Sequence, residues 1–206
     1  MSHIELELRG ECTETFDDLK RTLDALAKPR REVRTMVMFF GEVSGGGVDV
    51  RCRVTNGKGE VVVKVGDYHA HDRRELSVDV SVDQVVQFAR LFALIGFTTQ
   101  GGAHVNKKSS KVGTRESWEY HIDGIDVSLV RGMSGLAYIE FERRVTEQQV
   151  EEEKTRLEAL SAKLNVDLWT TGEQFYAFCN RLTTDEDWEF TGSEEDVARL
   201  AKQIAS

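Results

Sequence analysis

Charge falls on a single parity in strand after strand of this sequence. Ile4-Glu5-Leu6-Glu7-Leu8-Arg9 sets the pattern. Side chains alternate across an extended strand, so Glu5, Glu7 and Arg9 share one face while Ile4, Leu6 and Leu8 share the other. Ile139-Glu140-Phe141-Glu142 repeats it, and Arg51-Cys52-Arg53 and Val62-Val63-Lys64 lie between. Val48, Val50, Cys52 and Val54 alternate with Asp49, Arg51 and Arg53; Leu76, Val78 and Val80 alternate with Glu75, Ser77 and Asp79. The chain must therefore bury one face of a sheet and accommodate a second face of carboxylates, Arg and Lys. Paired carboxylates suit a hard divalent cation, and clustered Arg and Lys suit phosphate.

The order of elements follows from the same periodicities. Strands are expected near 3–9, 33–41, 47–55, 60–66, 73–81, 103–107, 115–122, 125–130 and 136–144. A helix is expected over 14–27, with Thr13 as its cap and Pro29 beyond its end, and a second over 83–95. From residue 145 on the pattern turns helical, over 146–164, 172–182 and 193–204. The predicted class is α+β: an antiparallel β-barrel with flanking helices at 1–144, then C-terminal helices at 145–206. A barrel removes sheet edges. The apolar faces would lie outside, under the helices, and the charged faces would line a hydrated lumen. For any single strand, charges facing solvent are the better reading; agreement among many strands, with Arg and Glu mixed on one parity, brings the lumen level with it.

Composition excludes several classes. A net charge of −9 argues against a general nucleic-acid binder. Residues 143–206 carry 8 Lys and Arg against 14 Asp and Glu, so the excess acid is concentrated there. Cys12, Cys52 and Cys179 match neither a zinc nor a disulfide pattern. No apolar run is long enough to span a membrane and no leader is evident, so the expected compartment is the cytoplasm.

Glu5-Leu6-Glu7-Leu8-Arg9 resembles the N-terminal ExExK signature of CYTH-domain proteins, the triphosphate tunnel metalloenzymes. Later features follow in that family's order: Arg51/Arg53, Lys64, Arg73-Arg74-Glu75, Ile95-Gly96-Phe97 and the closing Glu140-Phe141-Glu142. The resemblance covers roughly residues 3–144. It implies an eight-stranded antiparallel barrel forming a tunnel that holds a triphosphate with Mg²⁺ or Mn²⁺. Glu5, Glu7, Glu140 and Glu142 would be catalytic metal-site carboxylates, with Glu75 near the metals. Arg9, Arg51, Arg53, Lys64, Arg73 and Arg115 would grip phosphate, since guanidinium groups meet its oxygens in bidentate fashion.

Two departures stand out. Arg9 replaces the lysine of the signature. Val130 stands ten residues before Glu140, where the family usually has an inward aspartate. Asp126 is the nearest inward acid, about 13 Å away along the same strand. Three functions follow from the resemblance: a metal-dependent triphosphate hydrolase, an adenylate cyclase, or a non-catalytic polyphosphate binder. The expected partner is a triphosphate-containing small molecule. The apolar stripe of Phe175, Tyr176, Phe178 and Leu182 is read either as core packing or as a homodimer contact. His69 and His71 form an H-x-H in a polar loop, and Lys107-Lys108-Ser109-Ser110-Lys111 lacks the P-loop pattern.

Overall fold

The computed structural model describes residues 4–43, 46–65, 74–95, 110–185 and 187–205. The elements run β1 (Ile4–Glu11), α1 (Phe16–Leu26), β2 (Arg30–Val43), β3 (Gly46–Thr55), β4 (Lys58–Val65), β5 (Arg74–Val80), α2 (Val82–Ile95), β6 (Ser110–Ile122), β7 (Ile125–Gly132), β8 (Ala137–Val145), α3 (Val150–Lys163), α4 (Gly172–Asp185), β9 (Trp188–Glu189) and α5 (Glu194–Ala205). The strands hydrogen-bond in the order β1-β8-β7-β6-β2-β3-β4-β5, with β9 paired to β6. Eight antiparallel strands in one sheet and flanking helices are thus present, as expected. The strand expected near 103–107 falls outside the described residues. β9 has no counterpart in the expectations: two residues are too few to show a period.

Two of the hairpins are set by short turns. Asn56-Gly57 has φ of 48° and 77°, and Asp123-Gly124 has φ of 52° and 79°. Two successive left-handed residues form the tight turn whose twist matches a hairpin, which Asn-Gly and Asp-Gly supply at least cost. They fix Thr55 opposite Lys58 and Ile122 opposite Ile125. Every cross-strand pair on those hairpins follows from these two positions.

The chain forms two compact units. The first comprises 1–32 and 115–185, the second 33–114 and 186–206. In the first, Leu6, Trp118, Tyr120, Val127, Leu129, Ile139 and Phe141 build the apolar face of the sheet. Phe16, Leu19 and Leu23 of α1 and Leu157 and Leu160 of α3 cover it. The α1 residues recur at helical spacing, so one stripe reaches the core. Thr13 does not cap this helix. Its hydroxyl instead donates to Glu11 Oε1 at 3.0 Å and accepts from the Ala137 amide at 3.1 Å, and the helix begins at Phe16 after Thr15.

In the second unit Val37, Phe39, Val48, Val50, Cys52 and Val54 pack beneath Val85 and Ala89 of α2 and Leu200 of α5. Apolar faces thus lie under helices in both units, except on β5. There Leu76 and Val78 are 68% and 54% exposed. Burial pushes the thiols of Cys12 and Cys52 up to about 12, with Glu11 adding to the effect at Cys12. Ellman's reagent at pH 8 is therefore expected to modify Cys179, which is only half-buried, and to spare the other two until the protein unfolds. Because these folded values exceed the unfolded one, the stability they contribute is complete below about pH 8.5 and falls as pH rises toward 12.

Candidate active site

The polar face of the first unit is ordered in rows by register. Glu7 lies opposite Glu142, which lies opposite Asp126, which lies opposite His121. The next row is Arg9, Glu140, Ser128 and Glu119. The third is Glu11, Tyr138, Val130 and Ser117. Glu5 pairs in register with Arg144. Three acids thus stand side by side in the first row. Like charges directly opposed on a sheet destabilise it, so this face calls for a cation.

Arg9 supplies one. Its Nη2 contacts Glu7 Oε1 and lies 3.3 Å from Glu140 Oε1. Its guanidinium also lies over the Phe175 ring, 4.7 Å from the centroid. The substitution of Arg for Lys thus has a structural correlate: a planar fork can pair with two carboxylates and stack on an aromatic ring at once.

Beyond the third row the face turns aromatic. Tyr138 packs against Phe178 at 5.7 Å and Trp169 at 6.5 Å, and Trp169 meets Phe175 at 5.5 Å. Burial raises the Tyr138 hydroxyl pKa, against the pull of Arg9. Val130, opposite Tyr138, is buried, so an apolar residue suits the position where an aspartate was expected. The Trp169 amide donates to the Arg9 carbonyl at 2.7 Å, fastening this segment to β1. Gly10 permits that approach. A Cβ there would stand 2.4 Å from the Asp167 carbonyl oxygen. Gly10→Ala is expected to cost about 1–3 kcal/mol by forcing the two strands of chain apart. A lower urea midpoint and faster exchange of the Trp169 amide would report it.

The second unit carries the other predicted cations, each beside a carboxylate. Arg51 grips Asp49 through Nε at 3.0 Å and Nη2 at 2.6 Å. Arg53 Nε reaches Glu60 Oε2 at 2.7 Å, and Lys64 reaches Glu75 at 2.6 Å. Burial would raise the Glu60 pKa, but Arg53 overcomes it and the net direction is down. Asp49 is fully buried. Here the polar rows also contain apolar members: Met38 lies opposite Arg51, which lies opposite Val62.

The predicted residues therefore divide. Glu7, Arg9, Glu140 and Glu142 come together in the first unit, with Glu5 in register at the end of β1. Arg115, also in this unit, is buried opposite Gly132. Arg51, Arg53, Lys64 and Glu75 occupy the second unit. Arg73, His69 and His71 lie outside the described residues. Glu119 was missed, although it shares the parity of Arg115 in Arg115-Glu116-Ser117-Trp118-Glu119. The acids of the first unit offer oxygen donors alone, which fits Mg²⁺ or Mn²⁺ rather than zinc. Among the described residues no group of three or more His, Cys, Asp or Glu is gathered closely enough to hold a metal ion as the side chains stand.

No family model and no curated protein matches the chain. Solved structures do. The PH1012 protein of Pyrococcus horikoshii OT3 is 23% identical, with 81% of this chain and 92% of that one covered and a TM-score of 0.57. A Vibrio parahaemolyticus protein described as "a putative adenylate cyclase" is 12% identical, with 97% and 99% covered and a TM-score of 0.54. The chain has a CYTH-type fold. A chain of the Schizosaccharomyces pombe Mediator head module is similar too, at 11% identity, 80% and 96% coverage and a TM-score of 0.51. At these identities the CYTH fold is what is shared. Activity has to be argued from the site.

Proposed function

We propose that this chain is a metal-dependent hydrolase of triphosphate substrates, inorganic tripolyphosphate or an organic triphosphate. The observation that carries this is the carboxylate row of Glu7 and Glu142 beside Arg9 and Glu140. Glu5, Glu7, Glu140 and Glu142 would hold Mg²⁺ or Mn²⁺. Such a cation would stabilise negative charge on the phosphate and ease deprotonation of an attacking water. Arg51, Arg53, Lys64 and Arg115 would neutralise the phosphate chain, exchanging their present carboxylate partners for phosphate oxygens where those partners are acids. That exchange keeps each cation paired in both states. Arg9 bridges Glu7 and Glu140, and so offsets part of the charge of this face before ligand arrives. Positioning and charge stabilisation are what phosphoryl transfer asks of a protein.

Phosphate release from tripolyphosphate, with Mg²⁺ or Mn²⁺ and then with EDTA, tests this. Metal-dependent release supports it. Cyclic AMP and pyrophosphate from ATP would instead point to a cyclase, the description carried by the Vibrio protein of the same fold. Tight tripolyphosphate binding without turnover in any metal would leave a binding module.

A further inference from the structure

Glu60 holds the edge of Arg53 that a phosphate would need. Register sets the two directly opposite each other on β3 and β4, and Arg53 Nε donates to Glu60 Oε2 at 2.7 Å. A guanidinium meets carboxylate and phosphate oxygens through the same planar fork. An oxyanion arriving at that edge therefore has to displace Glu60. The two side chains are 16% and 24% exposed, so water screens their attraction only in part. The pair of Lys64 with Glu75 is more open, since Glu75 is 40% exposed.

The displaced carboxylate has a second cation to turn to. Arg34 stands opposite Thr55, the next residue of β3 on the same face as Arg53, about 7 Å along the strand. Burial opposes ionisation of Glu60, but Arg53, the Ser77 hydroxyl and the charge of Arg34 together outweigh it. Glu60 thus stays a carboxylate and feels both arginines. Asp79 lies opposite it on β5. Like charges directly opposed repel, and the same two acids repel an incoming polyanion.

We propose that Glu60 is an internal competitor for the phosphate subsite of Arg53, moving toward Arg34 when ligand binds and holding down the affinity of the empty protein for polyphosphate. This inference rests on the function proposed above, which takes Arg53 as a phosphate ligand, and adds an acid that sets how tightly that ligand is held. Its sign is distinctive. Loss of a carboxylate that held the sheet or a metal ion would weaken substrate binding, whereas loss of a competitor strengthens it.

The test is calorimetric titration of the full chain with tripolyphosphate in EDTA, comparing wild type with Glu60→Gln and taking each thermal midpoint as a control for folding. Glutamine keeps the length of the side chain and can still accept from Arg53, but the bond is no longer charge-assisted. Binding should tighten about tenfold in Glu60→Gln. Binding that is detected only in the variant supports the proposal as well. Equal or weaker binding by the variant, beside metal-dependent phosphate release by wild type, overturns the role of Glu60 and leaves the proposed function standing. No tripolyphosphate binding by either chain, with no phosphate release in Mg²⁺ or Mn²⁺, overturns both. If Glu60→Gln does not fold, Glu60→Asp takes its place, because the shorter acid draws back from Arg53 while keeping its charge. Tighter binding then supports the proposal, and unchanged or weaker binding overturns it.

Discussion

Glu140→Gln is expected to slow phosphate release from tripolyphosphate about a thousandfold, equivalent to about 4 kcal/mol of lost transition-state stabilisation. Glutamine has the same shape, so the apolar face beneath, with Ile139 and Phe141, is undisturbed. What disappears is one negative charge facing Arg9 across β1 and β8. A metal-site carboxylate acts on the charged transition state, so the loss should appear in kcat as well as in kcat/KM. Arg9 would then lean wholly on Glu7. Steady-state kinetics in saturating Mg²⁺ decide the matter, and wild-type turnover in this variant would sink the proposed function.

Arg51→Met has a different expected signature, a loss of stability as well as of substrate binding. Asp49 has a side chain only 1% exposed, and Arg51 itself is 27% exposed. Removing one partner of a buried ion pair leaves a charge without its principal counter-ion. A cost of about 3 kcal/mol is expected, at the low end of such measurements because Arg51 retains some solvent. The urea midpoint should fall accordingly. Asp49→Asn combined with Arg51→Met should recover most of that loss, because the stranded charge is gone. Tripolyphosphate binding should stay impaired in the double variant. A single variant as stable as wild type would show that Asp49 does not depend on Arg51.

The sheet faces were legible because a period of two is visible in six residues: Glu5, Glu7 and Arg9 against Ile4, Leu6 and Leu8. What one strand cannot show is its partner. Asp126 was weighed along its own strand, by its distance from Val130, whereas register places it beside Glu142. Glu119 escaped notice because a lone acid between Trp118 and Tyr120 reads as an exposed position. Only the pairing of β6 with β7 and β7 with β8 brings it into the row of Glu140. The Asn56-Gly57 and Asp123-Gly124 turns carried that register in the sequence all along. The capping of α1 failed for a related reason: Thr13 found a tertiary partner in the Ala137 backbone, which no local pattern reveals. The stacking of Arg9 on Phe175 joins residues far apart in the chain and was equally invisible.

Both cores join residues far apart in the chain. The first needs Leu6 and Leu164, and the second needs Val37 and Leu200. Arg9 and Glu140 are 131 residues apart. On a ribosome adding about 5–20 residues per second, β1 therefore waits on the order of ten seconds for β8 to exist. During that interval Ile4, Leu6 and Leu8 have no sheet to join. Neither half of the molecule can mature ahead of the other as an early-folding N-terminal domain would. Folding of each core should wait until its later segment has been made, and the demand this places on chaperones is set by the order of the strands.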